Sequence, residues 1–195
     1  MKILEKLLFI VFISVLAVFS YGSQNPEIVF KTGLGNFAVE IYESEAPVTA
    51  ANFLRYVDEN RFEGAVFYRV VTMENQPDSK IKIEVIQGGL DYINSDNRLD
   101  PIEHETTDQT GILHKDGVIS MARSLPGSAS SEFFICINDQ PELDFGGRRN
   151  PDGQGFAAFG KVIKGMEVVR KIQQQPVNGQ MLESQVKIHS ISRKK

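Results

Sequence analysis

The sequence predicts a mainly β fold, a closed antiparallel barrel with helices covering its open ends. Beyond residue 23, short apolar runs typical of strands recur along the chain, whereas the apolar spacing of a helix occurs in two segments. Strands and helices do not alternate regularly, which argues against a parallel, doubly wound sheet. A closed barrel leaves no exposed sheet edge, and closure therefore suits so many short strands.

The part of the chain that follows residue 23 begins with a predicted hairpin and helix. Residues 28–30 and 37–42 have the pattern of strands, and the glycine-rich segment 31–36 supplies the turn between them. Pro47 suits the first turn of a helix, which we expect to end near Asn60. The apolar stripe of this helix consists of Ala50, Phe53, Leu54 and Val57.

Long polar or glycine-rich loops separate the remaining elements. Strands are predicted at residues 65–71, 81–86, 117–122, 132–137 and 156–162. Loops are predicted at residues 72–80, 91–111, 123–131 and 145–155. A second short helix, expected to end before Pro176, has its apolar positions at Met166, Val169 and Ile172. A final strand is predicted from Val186, Ile188 and Ile191.

Residues 1–23 have the three-part layout of a secretory signal peptide. Two lysines near the start precede the uncharged run 7–19, and small or polar residues follow it. Cleavage is expected after Ser20 or Gly22. The apolar run is short for a membrane span, although an uncleaved anchor is the alternative. We therefore expect export to the periplasm or to the secretory pathway and extracellular space, a mature domain at 24–195, and no stable membrane association after cleavage.

Composition argues against several classes of protein. The formal net charge of −4 disfavours nucleic-acid binding, which normally needs a basic surface. Cys136 and three scattered histidines supply too few ligands for a structural zinc site, and we expect no metal and no cofactor. Glycine loops that bind phosphate and the serine elbow of hydrolases do not occur. Cys136 is expected to be buried and inert, and the histidines are expected to be ordinary surface or loop residues.

Several segments combine bulky apolar residues with a polar group whose burial would be costly without a hydrogen-bond partner. Arg69 stands inside the apolar run FYRVV, and Gln87 stands at the end of a strand. MAR (121–123) and SEFF (131–134) flank a flexible loop. From spacing alone, the alternative for Arg69 is an outward-facing residue on a half-buried strand.

The order of these segments resembles the cyclophilin family of peptidyl-prolyl cis-trans isomerases. The matching stretches are NFAVEIYESEAPVTAANFLRYV (36–57), FYRVV (67–71), VIQGG (85–89), GVISMAR (117–123), SASSEFFI (128–135), LD (143–144) and FAAFGKV (156–162). The resemblance covers nearly all of residues 27–191. It implies an eight-stranded antiparallel barrel capped by two helices, with a shallow apolar groove that accepts proline.

The resemblance also implies roles for individual residues. Arg69 is similar to the catalytic arginine, Gln87 to the glutamine that orients it and contacts the substrate backbone, and Phe134 to the floor of the proline pocket. The implied substrate-binding residues are Val85, Ala122, Arg123, Leu143 and Phe156. Val85 and Leu143 belong to the pocket, whereas Ala122 and Arg123 flank the residue before proline. Phe156 stands where the family often has His or Tyr.

Three positions depart from the family pattern. Glu84 stands where a pocket phenylalanine is expected, so Ile83 or Ile81 would have to fill that space. Glu142 replaces an aromatic residue before the LD pair, and Glu132 replaces the usual glutamine before the two phenylalanines.

The resemblance implies a peptidyl-prolyl cis-trans isomerase that accelerates rotation about X–Pro bonds during folding of exported proteins. Its partners would be proline-containing polypeptides, and we expect a monomer. The alternative is a chaperone or scaffold module that binds proline segments without turning them over, which Glu84 and Glu142 favour.

Overall fold

The computed structural model describes residues 25–90 and 95–194. The strands are β1 (Glu27–Thr32), β2 (Gly35–Ile41), β3 (Val66–Val71), β4 (Val85–Gly89), β5 (Val118–Met121), β6 (Phe133–Cys136), β7 (Ala157–Lys164), β8 (Val177–Asn178) and β9 (Met181–Arg193). The helices are α1 (Pro47–Asp58), α2 (Thr107–Thr110) and α3 (Met166–Gln173), and two short 3-10 turns lie at Ser95–Asn97 and Pro141–Leu143. The predicted signal peptide lies outside the described residues.

Eight strands form a closed antiparallel barrel, as predicted. Their order around the barrel is β1-β2-β7-β5-β6-β4-β3-β9, and β9 pairs with β1 to close the sheet. The two-residue strand β8 pairs with β9 and takes no part in closure. Closure therefore satisfies the backbone hydrogen bonds that an open sheet would leave at its edges.

Two helices pack on the barrel, and both were predicted from apolar spacing. Helix α1 contacts β7 and β9, and its buried face includes Phe53 and Leu54. Helix α3 contacts β2, β3 and β4, and it buries Val169 and Ile172. The four-residue helix α2 was not predicted, and every helix among the described residues is too short or too polar to cross a membrane.

An aromatic cluster fills the interior of the barrel. Phe30 and Phe37 stack across the β1–β2 hairpin with ring centroids 4.6 Å apart. Phe53 of α1 meets Phe133 of β6 edge to face at 5.9 Å, which joins the helix to the barrel. These side chains are at most 2% exposed, and burial of such rings is the main apolar stabilisation of a small domain.

The predicted strand at 81–86 is wrong over residues 81–84, because β4 begins at Val85. The backbone of Ile83 bonds to a side chain instead of a neighbouring strand: the Gln76 amide donates to Ile83 O at 2.7 Å, and Ile83 N donates to Gln76 Oε1 at 3.4 Å. Gln76 is itself buried, so this loop is a packed structure.

His114 lies in a loop, as expected for the histidines, but it is buried, with 1% of its area exposed. Both ring nitrogens of His114 are hydrogen-bonded, one to Asp144 and the other to Ser120. The polar atoms of this buried side chain are therefore satisfied. Cys136 is buried as predicted, and burial raises the pKa of its thiol.

Candidate active site

Three of the predicted site residues form one row across adjacent strands. Arg69 on β3 pairs directly with Gln87 on β4, and Gln87 pairs with Phe134 on β6. Directly opposed side chains on neighbouring strands lie close enough to interact. The barrel therefore brings together residues that are far apart in the sequence.

A β-bulge at Tyr68 directs Arg69 towards this row. The pairing of β3 with β4 skips Tyr68, because Phe67 opposes Gly88 and Arg69 opposes Gln87. Strict alternation would place Phe67 and Arg69 on the same face of the strand. Instead, Phe67 and Val70 lie in the barrel core, while Val71 lies in a second apolar cluster on the outer face. The bulge thus re-aims the arginine to the outside of the barrel.

Two amide groups fix the guanidinium of Arg69. Its Nη1 donates to Gln87 Oε1 at 2.7 Å, while its Nε and Nη2 donate to Gln180 Oε1 at 3.1 and 2.5 Å. Since arginine carries five N–H groups, two of them have no acceptor within the described part of the chain. Burial lowers the pKa of Arg69, and the nearby Arg149 guanidinium lowers it further. An arginine nevertheless stays protonated near neutral pH.

A chain of hydrogen bonds holds Gln87 in turn. Gln87 Nε2 donates to the Tyr68 hydroxyl at 2.7 Å, and that hydroxyl donates to Glu132 Oε2 at 2.7 Å. Glu132 also accepts from Leu90 N at 3.1 Å. These contacts fix which end of the Gln87 amide faces Arg69. Glu132, which replaces the glutamine usual in the family, therefore has a structural role as the acceptor at the end of this chain.

The two positions after Gln87 have no room for a side chain, which explains why both are glycine. A Cβ at Gly88 would lie 2.6 Å from Val66 O, and one at Gly89 would lie 2.6 Å from Glu132 Oε2. Gly89 also has a φ of +145°, which side chains rarely adopt. The motif IQGG therefore keeps strand β4 close enough for Gln87 to reach its partners.

A cleft of about 240 Å³ lies beside the row. All eight predicted site residues line it: Arg69, Val85, Gln87, Ala122, Arg123, Phe134, Leu143 and Phe156. Its apolar floor belongs to the second cluster, which contains Val85, Phe134 and Leu143. Phe133 and Phe134 point in opposite directions, into the barrel core and into the cleft, as successive strand residues do.

Phe134 is held between two rings. Phe156 meets it edge to face at 5.2 Å, and His114 stacks on it at 5.9 Å with an interplanar angle of 15°. His114 is itself fixed by Asp144 Oδ1 at 2.7 Å and Ser120 Oγ at 3.0 Å. Ser120 is 0% exposed, so this Ser–His–Asp arrangement is inaccessible to substrate and supports the pocket floor.

Arg123, another residue that lines the cleft, is held by an ion pair. Its guanidinium bonds to both oxygens of Asp152 at 2.8 and 2.9 Å and to Gly155 O, and it lies 5.2 Å from the centre of the Phe156 ring. This pairing lowers the pKa of Asp152 to about 2. The ion pair therefore ties the loop before β7 to the cleft.

Several residues of the site were not predicted from the sequence. Arg149 and Asn150 line the cleft, and Gln180 bonds to Arg69, yet all three lie in polar loops without a motif. Ile83 also lines the cleft, 5% exposed, so it fills the space that Glu84 does not. The conformation of the loop after residue 80 determines which isoleucine fills this pocket position. The sequence alone allowed either Ile81 or Ile83.

Glu84 and Glu142, two acidic residues that depart from the family pattern, do not line the cleft. Glu84 accepts from the Asn138 amide at 3.0 Å. Glu142 bonds to the backbone N–H and the guanidinium of Arg148, with Nη2 of Arg148 at 2.5 Å. Within residues 25–90 and 95–194, no three His, Cys, Asp or Glu side chains are placed to hold a metal ion.

A fixed arginine beside an apolar pocket is suited to a substrate that is both apolar and weakly basic in its transition state. Comparison with known proteins identifies the family. Residues 27–193 match the family described as cyclophilin type peptidyl-prolyl cis-trans isomerase/CLD. The chain belongs to the cyclophilin-type peptidyl-prolyl cis-trans isomerases. It is therefore an enzyme that accelerates rotation about the peptide bond before proline.

Bacterial peptidyl-prolyl cis-trans isomerases are among its relatives. The peptidyl-prolyl cis-trans isomerase of Acinetobacter baylyi is 36% identical over 166 residues, which cover 84% of this chain and 80% of the relative. Peptidyl-prolyl cis-trans isomerase B of Escherichia coli is 31% identical over 148 residues, covering 74% of this chain and 82% of the relative.

The cyclophilin fold is seen in solved structures as well. A crystal structure of a cyclophilin-type isomerase from Cryptosporidium parvum has a TM-score of 0.70 at 19% identity, covering 88% of this chain and 98% of that one. A second crystal structure of that protein, in the presence of the dipeptide Ala-Pro, has a TM-score of 0.69 at 20% identity and covers 87% of this chain and 99% of that one.

Proposed function

We propose that Arg69 catalyses the rotation by donating a hydrogen bond to the proline nitrogen. Amide resonance sets a barrier of about 18–20 kcal/mol to this rotation. As the bond twists, the nitrogen becomes pyramidal and regains a lone pair that a planar amide does not offer. A donor aimed at that lone pair binds the twisted state more tightly than either planar state, which is what lowers a barrier. The reaction breaks no covalent bond and needs no acid or base.

The observation that carries this proposal is the position of Arg69. Gln87 and Gln180 hold its guanidinium at the edge of an apolar pocket and leave two N–H groups unused. A donor that is already oriented costs little reorganisation during the reaction, and its removal typically lowers rates by about a hundredfold or more. Gln87 would orient Arg69 and contact the backbone of the substrate.

The apolar residues would hold the proline ring while the preceding carbonyl rotates. Phe134 forms the floor, and Val85 and Leu143 flank it in the same cluster. Phe156 packs on the edge of that floor. Ala122 and Arg123 would lie along the residue before proline. The substrate would therefore enter the cleft at Ala122 and Arg123, and the residues after proline would leave it at the other end.

We further propose that the mature enzyme works as a monomer on proline-containing polypeptides of an exported compartment, unattached to the membrane. The leader-like composition of residues 1–23 supports export. The non-catalytic alternative loses its basis in Glu84 and Glu142, since neither lines the cleft and Ile83 fills the pocket position.

A titration tests the assignment of the cleft. The ¹⁵N-labelled mature protein is titrated with a short Ala-Pro peptide amide, and cis–trans exchange of the peptide is followed in the same samples. We expect shift changes centred on the residues that line the cleft, together with faster exchange. The matched control is an Ala-Ala peptide, which should produce neither. Binding elsewhere, or binding without faster exchange, would contradict the proposal.

A further inference from the structure

The cleft has an unusual balance of charge. Three arginines line it, namely Arg69, Arg123 and Arg149, whereas its lining contains no acidic residue. A partly buried cation without a counter-charge attracts an anion from solution or from a ligand. The three guanidiniums differ in how their charge is balanced.

Two of these arginines already have their partners. Arg123 is paired with both oxygens of Asp152, so its charge is neutralised. Arg69 is held by amide oxygens, and the proposed function uses its remaining N–H groups for the proline nitrogen. Neither is therefore available for an additional acidic group.

Arg149 is ordered but has no acidic partner in the described part of the chain. Its Nη1 donates to Ser79 Oγ at 2.8 Å and to Ile81 O at 2.6 Å, both of which are neutral acceptors. Its Nε and Nη2 have no acceptor among the described residues, and these two groups form the edge that binds carboxylates in a bidentate manner. Burial lowers the pKa of Arg149, and no acidic group offsets this.

The acidic groups nearest in the fold do not satisfy Arg149. Glu142 is paired with the neighbouring Arg148, and Arg149 contacts it only through a backbone hydrogen bond to Glu142 O. Asp78 lines the adjoining groove with Arg149, but it is exposed and forms no ion pair with it. A carboxylate bound at the free edge of Arg149 would thus complete the site.

Arg123 and Arg149 each also line a different neighbouring groove, and from this we infer that they lie towards opposite ends of the cleft. Beyond Arg123 the surface continues into a groove lined by Ser124, Ser128 and Glu132, and beyond Arg149 it continues into a groove lined by Asn75, Ser79 and Gln180. If the residue before proline lies along Ala122 and Arg123, the residues after proline leave the pocket past Arg149.

We propose that Arg149 makes this isomerase prefer substrates with an aspartate or glutamate at one of the two positions after proline. This inference rests on the proposed function, because it uses the direction in which the substrate crosses the cleft. The acidic side chain would receive two hydrogen bonds from the free edge of Arg149. An acidic residue before proline would gain nothing comparable, because Asp152 already occupies Arg123.

The test compares isomerisation of amidated peptides by exchange NMR, since the amide removes the terminal carboxylate. One set places Glu, Gln or Lys at the first or second position after proline, and the other places the same residues before it. We expect kcat/KM for Glu to exceed that for Gln by about fivefold at low salt at one of the two positions after proline, as one partly screened ion pair would give. Lys should be poorer than Gln at that position. Salt at 0.5 M should reduce the preference, because it screens the pair.

Two variants assign the preference to Arg149. In Arg149→Gln the Glu-to-Gln ratio should fall to about one, whatever the absolute rate, and in Arg149→Glu the order of Glu and Lys should reverse. The matched control is Arg148→Gln, which removes the same charge from the adjacent residue, 72% exposed, and should keep the preference.

The outcomes separate this inference from the proposed function. If the wild-type protein accelerates no peptide, the proposed function fails and this inference fails with it. If it accelerates the Glu, Gln and Lys peptides equally, or prefers Glu before proline, the inference is overturned while the isomerase mechanism stands. A preference that survives Arg149→Gln also overturns it.

Discussion

Arg69 receives its orientation from two separate parts of the chain. Gln87 comes from the neighbouring strand β4, whereas Gln180 comes from the turn between β8 and β9. The Val70 N–H donates to Gln180 O at 2.8 Å, which fixes the turn against β3. The guanidinium of Arg69 is thus held by both parts of the chain before any substrate binds.

At this scale, motifs predicted the strand residues and missed the loop residues. Arg69, Gln87 and Phe134 stand in strands whose motifs, FYRVV, VIQGG and SEFF, resemble those of the cyclophilin family. Gln180 lies in a polar turn where no periodicity marks it, and its contact with Arg69 depends on the closure of the whole barrel. His114 was missed for a related reason, since its partners Asp144 and Ser120 come from other segments.

Removal of the Gln180 amide should lower turnover through Arg69. In Gln180→Ala we expect kcat to fall about five- to tenfold, the size of one or two hydrogen bonds to a charged group after partial replacement by water. KM should change little for short peptides that end before the groove beyond Arg149, because Gln180 lines that groove and not the pocket itself. The measurement is isomerase kinetics under saturating and limiting peptide.

A double-mutant cycle shows whether Gln180 acts through Arg69. Added to Arg69→Ala, the Gln180→Ala change should have no further effect on kcat. The control is Gln174→Ala, at an exposed position after α3, which should match the wild type. Additive losses would contradict a positioning role.

At the scale of elements, the bulge in β3 and the loop before β7 shape the site. The bulge places Phe67 inside the barrel and Arg69 outside it, which an alternating pattern could not predict. Arg123 and Asp152 tie the loop at 145–155 to the cleft, and Arg149 links it to the loop at 72–84. Most strands were predictable because their apolar runs are continuous. The start of β4 was not, because Gln76 satisfies the backbone of Ile83 in place of a strand.

The ion pair between Asp152 and Arg123 should make the thermal stability of the fold depend on pH. Its pKa is lowered from 3.8 to about 2 by the hydrogen bonds from Arg123. A carboxylate with a lowered pKa stabilises the folded state above the pKa of the unfolded chain, and this stability is lost as the pH falls through the folded-state value. Thermal unfolding of the wild type and of Asp152→Asn should therefore differ most above about pH 4, with the wild type more stable, and converge towards pH 2.

The control for this comparison is Asp139→Asn, which removes a carboxylate paired with the exposed Lys115 on another loop. Its melting temperature should stay close to that of the wild type, because exposed pairs contribute little. A difference between wild type and Asp152→Asn that is constant from pH 6 to pH 2 would show that the ion pair is not the cause.

At the scale of the whole molecule, one closed barrel separates two functions. Its interior holds the aromatic core that stabilises the fold, and the outer faces of β3, β4 and β6 carry the site. The closed antiparallel barrel follows from strand number and the lack of regular alternation. Its exact strand order depends on contacts between distant segments, which no local pattern contains.

The predicted leader also concerns the whole molecule, and its proposed removal can be measured directly. Because residues 7–19 have the length and composition of a signal-peptide core, the mature protein should begin between Tyr21 and Gln24. Intact-mass measurement of protein from its native host tests this. A mass that retains residues 1–20 would favour an uncleaved anchor.

The central claim is that Arg69 stabilises the twisted peptide bond, and isomerase kinetics on two variants test it most directly. After circular dichroism confirms folding, Arg69→Ala should lower kcat/KM at least about tenfold, equivalent to 1.4 kcal/mol or more of transition-state stabilisation. Arg69→Lys should recover little, because one mobile ammonium does not reproduce the planar guanidinium held by Gln87 and Gln180. If Arg69→Ala remains as active as the wild type, the account is contradicted, and the donor must be sought elsewhere in the cleft, first at Arg123.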